Sequence, residues 1–492
     1  MAKQKSLKQK AAASMVWTAF SKYSHMAIQF VSGIILARLL TPYDYGCIGM
    51  LSIFMVLAEA FIDGGFGSAL IQKKNPTQED YSTIFFWNIG VAVVMYAILF
   101  FCAPAIARFY DIPLLCSVLR VQALVLFIYA FNIIQKNQLR KNLNFKTLAI
   151  VSVSTSLLAL GITIYMAYNG FGVWALVTQN LIVAAIPAIV YWFYMKWRPI
   201  WTFSWKSFKE LFGFGFYMFL THLVNRFCSK LTGLLIGKVY SPTTLGYYSK
   251  ATGTEHLASN SISSIMTQVT YPLYSKVQDD KEAMANMIKR LTMTIAYITF
   301  PMMFILILTA KPIFVLLYSE RWLVSVPYFQ VLCLVGLSDC LQAVNTQTLA
   351  AIGKSKLMFQ WILVKRGVGL VFMIGGLYFF GMKGLLIGTV VYNWFSYFVN
   401  IGLVSKYIGY KWTKQIQHLL PMGIVSLVAA AISYICGLTF NLNLYLDGLM
   451  KLLIVAIIYW GWSVIFKPES YIYTLSIIPD KFKFWERKTK KR

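Results

Sequence analysis

The stretch ILARLLTPYDYG, residues Ile35–Gly46, has a counterpart two hundred residues on, IGKVYSPTTLG, residues Ile236–Gly246. In each copy an apolar run ends on one basic residue, Arg38 or Lys238. A hydroxyl–proline pair follows, Thr41-Pro42 or Ser241-Pro242, and four residues after the proline a glycine opens another apolar run. Proline cannot continue a helix and disfavours helical geometry in the residue before it, while the hydroxyl accepts hydrogen bonds from the open N–H groups of the next helix. Both stretches predict a tight helix–turn–helix corner. A repeat at this spacing divides the chain into two similar halves.

The chain around these corners is 492 residues long, 58% hydrophobic and only 13% charged, with a mean hydropathy of +0.63. A soluble domain carries about 25% charged residues, so the composition predicts a polytopic membrane protein of the all-α class. Its seven cysteines lie in apolar runs without a CxxC or any pairing pattern and read as small core residues. The basic Met1–Lys10 leads into a full-length apolar run with no small-residue cleavage site, which predicts that no signal peptide is removed.

With about 20 apolar residues per crossing, fourteen spans are expected, near 12–37, 46–68, 82–107, 114–135, 147–168, 172–195, 211–238, 245–270, 291–317, 325–350, 357–380, 384–405, 417–438 and 446–466. This assignment puts 31 of the 45 basic residues in loops on one side, Lys136 and Arg140 among them, and seven on the other. The remaining seven fall inside spans. The asymmetry predicts that both termini are cytoplasmic. It also accounts for most of the net charge of +28 without any nucleic-acid partner, anionic lipid supplying the contacts.

The expected organisation is an N-terminal lobe (1–200, spans one to six), a C-terminal lobe (201–415, spans seven to twelve), two peripheral spans (416–470) and a basic cytoplasmic tail (471–492). Trp201–Phe214 reads as a short amphipathic helix on the cytoplasmic surface ahead of span seven. Further echoes support the repeat: Gly170-Phe-Gly172 and Gly381-Met-Lys-Gly384 open spans six and twelve, and Arg108–Asp111 and Leu317–Trp322 close spans three and nine. Six spans per half give both halves the same orientation, the plan of a transporter with a central cavity.

The segments ILARLLTPYDYG (35–46), DGGFGSALIQKK (63–74), GFGVWALVTQ (170–179), LLIGKVYSPTTLGYYSKA (234–251), YPLYSKVQDD (271–280), VLLYSERW (315–322) and NTQTLAAIGKSK (345–356), in this order, resemble the Wzx-type polysaccharide-export flippases. These belong to the multidrug/oligosaccharidyl-lipid/polysaccharide exporter superfamily. The resemblance covers spans one to twelve. It implies a MATE-like fold and movement of an undecaprenyl-pyrophosphate-linked oligosaccharide across the cytoplasmic membrane by alternating access, for O-antigen, capsule or exopolysaccharide assembly. It also implies association with the polymerase and glycosyltransferases of the same pathway. One departure is local: where the family often carries an acid in span seven, Ser229-Lys-Leu-Thr232 puts Thr232.

Ionisable groups inside a membrane are costly and point to function. Arg226 and Lys230 lie four apart on one face of span seven, and a basic surplus suits a pyrophosphate. Lys22 and His25 hold the equivalent depth of span one, where the structural alternative is a Lys22–Glu59 pair across adjacent spans. Lys365 and Arg366 in span eleven either reach the cavity or snorkel to headgroups. Asp339, Gln342 and Asn345 form a polar stripe on span ten, suited to sugar hydroxyls or to interhelical hydrogen bonds. Glu59 and Asp63, four apart in span two, are candidates for binding a coupling H⁺ or Na⁺, with Asp63 as a cap of the Gly64-Gly65 turn as the alternative.

No metal-ligand cluster, nucleophile triad or phosphate-cradling loop stands out, and the histidines 25, 222, 256 and 418 are scattered, so neither a cofactor nor enzymatic chemistry is expected. The other readings are a peptidoglycan lipid-precursor flippase or cation-coupled drug exporter of the same superfamily, and, from another class, a membrane-embedded glycan ligase or polymerase. The last of these needs a sizeable extracytoplasmic catalytic loop, which the span assignment does not leave room for.

Overall fold

The computed structural model describes residues 7–277, 280–352, 355–440 and 442–477. The expected basic residues Lys3, Lys5, Lys354 and the tail from residue 478 lie outside them. The described residues are helical almost throughout, and they separate into two compact units, Met1–Ser249 and Lys250–Arg492.

The first unit holds α1 (Leu7–Leu39), α2 (Pro42–Asp63), α3 (Phe66–Gln72), α4 (Gln78–Tyr110), α5 (Leu114–Gln122), α6 (Leu124–Lys141), α7 (Phe145–Tyr168), α8 (Val173–Tyr194), α9 (Trp205–Val239) and the first turns of α10 (Pro242–Lys276). Both corners form as their residues dictate. Thr41 caps α2: its Oγ1 accepts from the Asp44 N–H, and Asp44 accepts in return from the Thr41 N–H at 2.9 Å. At the second corner Ser241 Oγ accepts from the Thr244 N–H at 3.1 Å. Such a cap is worth about 1 kcal/mol. The α2 helix stops at Gly64 and Gly65, both at positive φ (52° and 74°), a conformation that side chains with a Cβ resist. The Gly65 turn is pressed against the backbone of Gly215 on α9.

Helix α9 departs from expectation. Residues 201–214 do not make a separate surface helix: Ser204 caps α9, and one 35-residue helix runs on to Val239. Phe208 stands against Trp87 of α4, with ring centroids 4.6 Å apart, so this segment is held by packing on its neighbours. Lys73 bridges Asp80 and Glu210, both at 3.0 Å, tying the loop after α3 to α9.

The second unit comprises the remainder of α10, then α11 (Lys281–Leu308), α12 (Ala310–Tyr318), α13 (Ser325–Ala351), α14 (Ser355–Ile408), α15 (Trp412–Thr439), α16 (Leu444–Phe466) and α17 (Glu469–Ile477). Fifty-four residues of α14 form two helical rods meeting at Gly381, whose φ of 60° and ψ of −142° break the helix. Where Gly376 and Gly384 face one another, a Cβ on either would stand within 2.2 Å of the other's carbonyl oxygen.

Among the described residues ten helices are long and apolar enough to cross a membrane, α14 counting once. That differs from the fourteen expected. The Gly381 bend joins two expected spans, while α1, α9 and α10 are long enough to cross but more polar than the ten. Those helices carry many of the polar and charged groups described next.

Candidate functional site

Helix α6 carries Tyr129, Asn132, Lys136 and Arg140 at a spacing of three, four and four, which places them on one face. That face borders a cavity of about 470 Å³ within the first unit, opposite Thr18, Ser21, Lys22 and His25 of α1 and beside Ser152, Thr155 and Ser156 of α7. Four basic side chains, Lys22, His25, Lys136 and Arg140, thus share one chamber. His25 Nδ1 lies 3.1 Å from Ser156 Oγ. Lys136 and Arg140 were expected in a cytoplasmic loop. They are instead on the last turns of α6, where the helix continues past the end of its apolar stretch.

A second cavity of about 360 Å³ shares His25, Ser156 and Val183 with the first and extends along α1 and α8. Its lining is uncharged apart from His25: Gln29, Ser32, Tyr45, Gln179 and Asn180 offer amides and hydroxyls, and Gln179 Nε2 donates to Ser32 Oγ at 3.4 Å. The two chambers together give a basic end and a neutral, hydrogen-bonding end.

Glu59, Asp63, Arg226 and Lys230 are brought together at the α2–α9 contact. Glu59 faces Arg226 at 4.0 Å, with Lys136 and Lys230 also in electrostatic range; its ion-pair partner is Arg226 on α9, not Lys22. Asp63 accepts a hydrogen bond from the Gly65 backbone and is in electrostatic range of Arg226, His222 and Arg140. Tyr129, which lines the basic chamber, is in electrostatic range of Asp63, Glu59 and Arg226, so the cluster and the chamber adjoin. Arg226 Nη1 is buried and makes no hydrogen bond among the described residues, leaving a guanidinium donor available to an anion.

The remaining candidates lie in the second unit. Lys365, buried, donates to Asn400 Oδ1 at 2.8 Å; Asn400 and Ser396 both donate to Gln342 Oε1, at 3.3 and 2.9 Å. Lys365 and Gln342 therefore belong to one interhelical network. Asp339 has Glu255, His256 and Arg366 as its charged neighbours. Glu255 rests directly against Gly336 of α13, where a Cβ would stand 2.3 Å from its Oε1. Asn345 is fully buried, and neither end of its amide has a partner among the described residues.

Among the described residues no group of three or more His, Cys, Asp or Glu side chains could hold a metal ion.

Known proteins resemble this chain in sequence or in fold. The teichuronic acid biosynthesis protein TuaB of Bacillus subtilis is 27% identical over 70% of this chain and 72% of its own. The lipopolysaccharide biosynthesis protein WzxC of Escherichia coli is 21% identical over 88% of this chain and 89% of its own. Among solved structures, the lipid II flippase MurJ in an inward closed conformation superposes with a TM-score of 0.76 at 16% identity, covering 92% of this chain and 99% of that one. An inward-facing multidrug-resistance MATE transporter of the MOP superfamily gives 0.59 at 15% identity, over 80% of this chain and 98% of that one. The family model described as polysaccharide biosynthesis protein matches residues 35–327, more than half of the sequence, and the chain belongs to that family.

Proposed function

We propose that the protein is a flippase for a polyprenyl-pyrophosphate-linked oligosaccharide, acting in surface-polysaccharide assembly in the bacterial inner membrane with both termini in the cytoplasm. The observation that carries this reading is the two-part chamber of the first unit. Lys22, Lys136 and Arg140 supply cations where a pyrophosphate would sit, and the adjoining Gln29, Gln179 and Asn180 supply amides where the first sugars would sit. Charge-assisted bonds to phosphate oxygens are the stronger class, while sugar hydroxyls take neutral donors and acceptors. The names of relatives concerned with polysaccharide biosynthesis, and the likeness in fold to a lipid II flippase, support the same reading.

In this reading the head group enters the chamber while the lipid chain stays at the membrane face. Two lobes of six spans each rock to open the cavity alternately to the two sides, with α15 and α16 peripheral. Arg226 and Lys230 stand beside the chamber as further anion contacts, and Glu59 or Asp63 takes the coupling H⁺ or Na⁺. Lys365, Arg366, Asp339, Gln342 and Asn345 serve the second unit's share of the pathway. The protein carries out no covalent chemistry. Polymerase and glycosyltransferases of the same pathway are its functional partners.

The test is transport of a fluorescent undecaprenyl-pyrophosphate oligosaccharide in proteoliposomes, parent against Lys22→Ala/Lys136→Ala. The parent is expected to transport and the folded double variant to lose most of that activity. A parent inert toward polyprenyl-pyrophosphate glycans sinks the reading. An active parent with an unimpaired variant removes the chamber from it.

A further inference from the structure

Apart from these two chambers the first unit has a wholly different cavity of about 580 Å³, opening between α2, α4 and α9. Its lining contains no charged residue, and aromatic rings dominate it: Phe61, Phe86, Trp87, Phe212, Phe216 and Phe219. Phe61, Phe212 and Phe216 remain about 40% exposed, so the groove is open to its surroundings and not a closed part of the core. Along α9 the rings form a continuous ladder. Phe208 and Phe212 stack at 5.5 Å, Phe212 and Phe216 follow at 5.4 Å, and Phe216 and Phe219 at 6.4 Å.

The ladder is in register with the cations. Positions 212, 216, 219, 223, 226 and 230 advance by four, three, four, three and four, so Phe212, Phe216, Phe219, Arg226 and Lys230 share one face of α9. Phe212 to Arg226 is about 21 Å at 1.5 Å per residue. One stripe therefore reads as an apolar rail ending on a guanidinium whose Nη1 is buried and makes no hydrogen bond among the described residues. On the other wall Phe61 packs on Phe219 at 5.2 Å, two residues along α2 from the Glu59 that faces Arg226.

We propose that this groove holds the polyprenyl chain of the lipid-linked substrate, laid along α9 and leading past Arg226 to a pyrophosphate held in the adjoining basic chamber. This rests on the flippase reading and adds to it a binding site for the chain. The chemistry favours a prenyl diphosphate over a bilayer phospholipid. A resting phospholipid keeps its head at the interface and its chains inward, whereas here the rings lie nearer the start of α9 and the cation lies deeper along the helix. A lipid whose head has left the interface and entered the protein matches that order. Branched, unsaturated prenyl units also present methyl and π faces that pack on aromatic rings.

The experiment is photolabelling in nanodiscs with a diazirine-bearing polyprenyl diphosphate, the cross-linked peptides being located by mass spectrometry. The expected result is labelling of α4 around Phe86–Met95 and of α9 around Phe212–Phe219, competed by unlabelled polyprenyl diphosphate and not by phosphatidylglycerol. Phe216→Ala, at a half-exposed ring, is expected to lower it by about fivefold or more. Val94→Trp, which fills the groove from an exposed position without removing a packed ring, is expected to do the same. Equal labelling by a diazirine phospholipid makes the groove a bulk-lipid contact and overturns the proposal. Specific labelling confined to other helices overturns it while leaving the flippase reading standing. A parent that takes up no polyprenyl diphosphate at all overturns both.

Discussion

Gly46 and Gly246 occupy each other's corner. A Cβ on Gly46 would stand 1.8 Å from the carbonyl oxygen of Pro242, and a Cβ on Gly246 would stand 1.8 Å from the carbonyl oxygen of Pro42. The two repeated sequences thus meet in a reciprocal contact, proline of one against glycine of the other, as in an isologous interface. Neither position has room for a side chain. Gly46→Ala and Gly246→Ala are each expected to destabilise by about 1–3 kcal/mol, as overpacking does. Gly161→Ala, where a Cβ meets nothing within 4 Å, is the control and is expected to be neutral or slightly stabilising. Melting of the purified variants in detergent checks the contrast.

Arg140 lies at the exposed end of the chamber-facing stripe of α6. If it binds the pyrophosphate through a charge-assisted bond, its loss removes about 1.5–3 kcal/mol. Arg140→Ala is then expected to weaken substrate binding by roughly 10- to 100-fold without lowering the melting temperature. Direct binding of a polyprenyl diphosphate, measured by its displacement of a fluorescent analogue, gives the answer.

The Glu59–Arg226 contact bears on coupling. Glu59→Gln removes the acid and leaves Arg226 in place. Transport by this variant is expected to lose its dependence on a proton or sodium gradient while still equilibrating substrate. An unchanged gradient dependence assigns coupling elsewhere, with Asp63 and the Glu255–Asp339 neighbourhood as the next acids to substitute.

Lys365 is buried and bonded to Asn400. Lys365→Met keeps much of the volume but strands the Asn400 oxygen. The expected cost is about 1–3 kcal/mol, the price of an unmade buried hydrogen bond. Lys365→Met/Asn400→Leu is expected to recover part of that stability, and a thermal double-mutant cycle measures the coupling.

Glu469, at the start of α17, receives a hydrogen bond and ion pair from Lys289 of α11 at 2.5 Å. The Lys289 hydrogen bond holds its carboxyl below the ordinary 4.5 against the opposing effect of burial. A carboxylate whose folded pKa is depressed stabilises the fold above its unfolded pKa, and that contribution is lost as pH falls through the folded value. With Glu469 half exposed the effect is at most about 1 kcal/mol. Glu469→Gln is therefore expected to lower the melting temperature slightly at pH 7, the difference from the parent closing as pH falls through the depressed carboxyl value.

What the sequence disclosed was local. The corners were legible because proline and a capping hydroxyl act within four residues, and the geometry at Thr41 and Ser241 follows directly from them. The basic stripe of α6 was harder to read, because Lys136 and Arg140 follow the point where hydropathy falls and so resemble a loop. The three-and-four spacing from Tyr129 was the signal for them. That Glu59 pairs with Arg226 was beyond reach, since it depends on α2 lying against a helix more than 140 residues away in sequence. Nor did composition separate a surface segment from the start of α9: its aromatic residues suit an interface and a packed stripe equally, and only the contact with Trp87 distinguishes them.

The reciprocal glycine corner also sets a timetable. During synthesis the first corner is finished when Gly46 emerges, yet the backbone it must meet arrives only with Pro242, some two hundred residues later. At roughly 5–20 residues per second that is a wait of about 10–40 s. For that time a close-packing glycine surface in the first turns of α2 has no partner from its own chain, while the hydrophobic helices that follow it are still being made. A nascent chain in this interval is the form most open to pairing with the wrong neighbour, and the form a membrane chaperone would have most reason to hold.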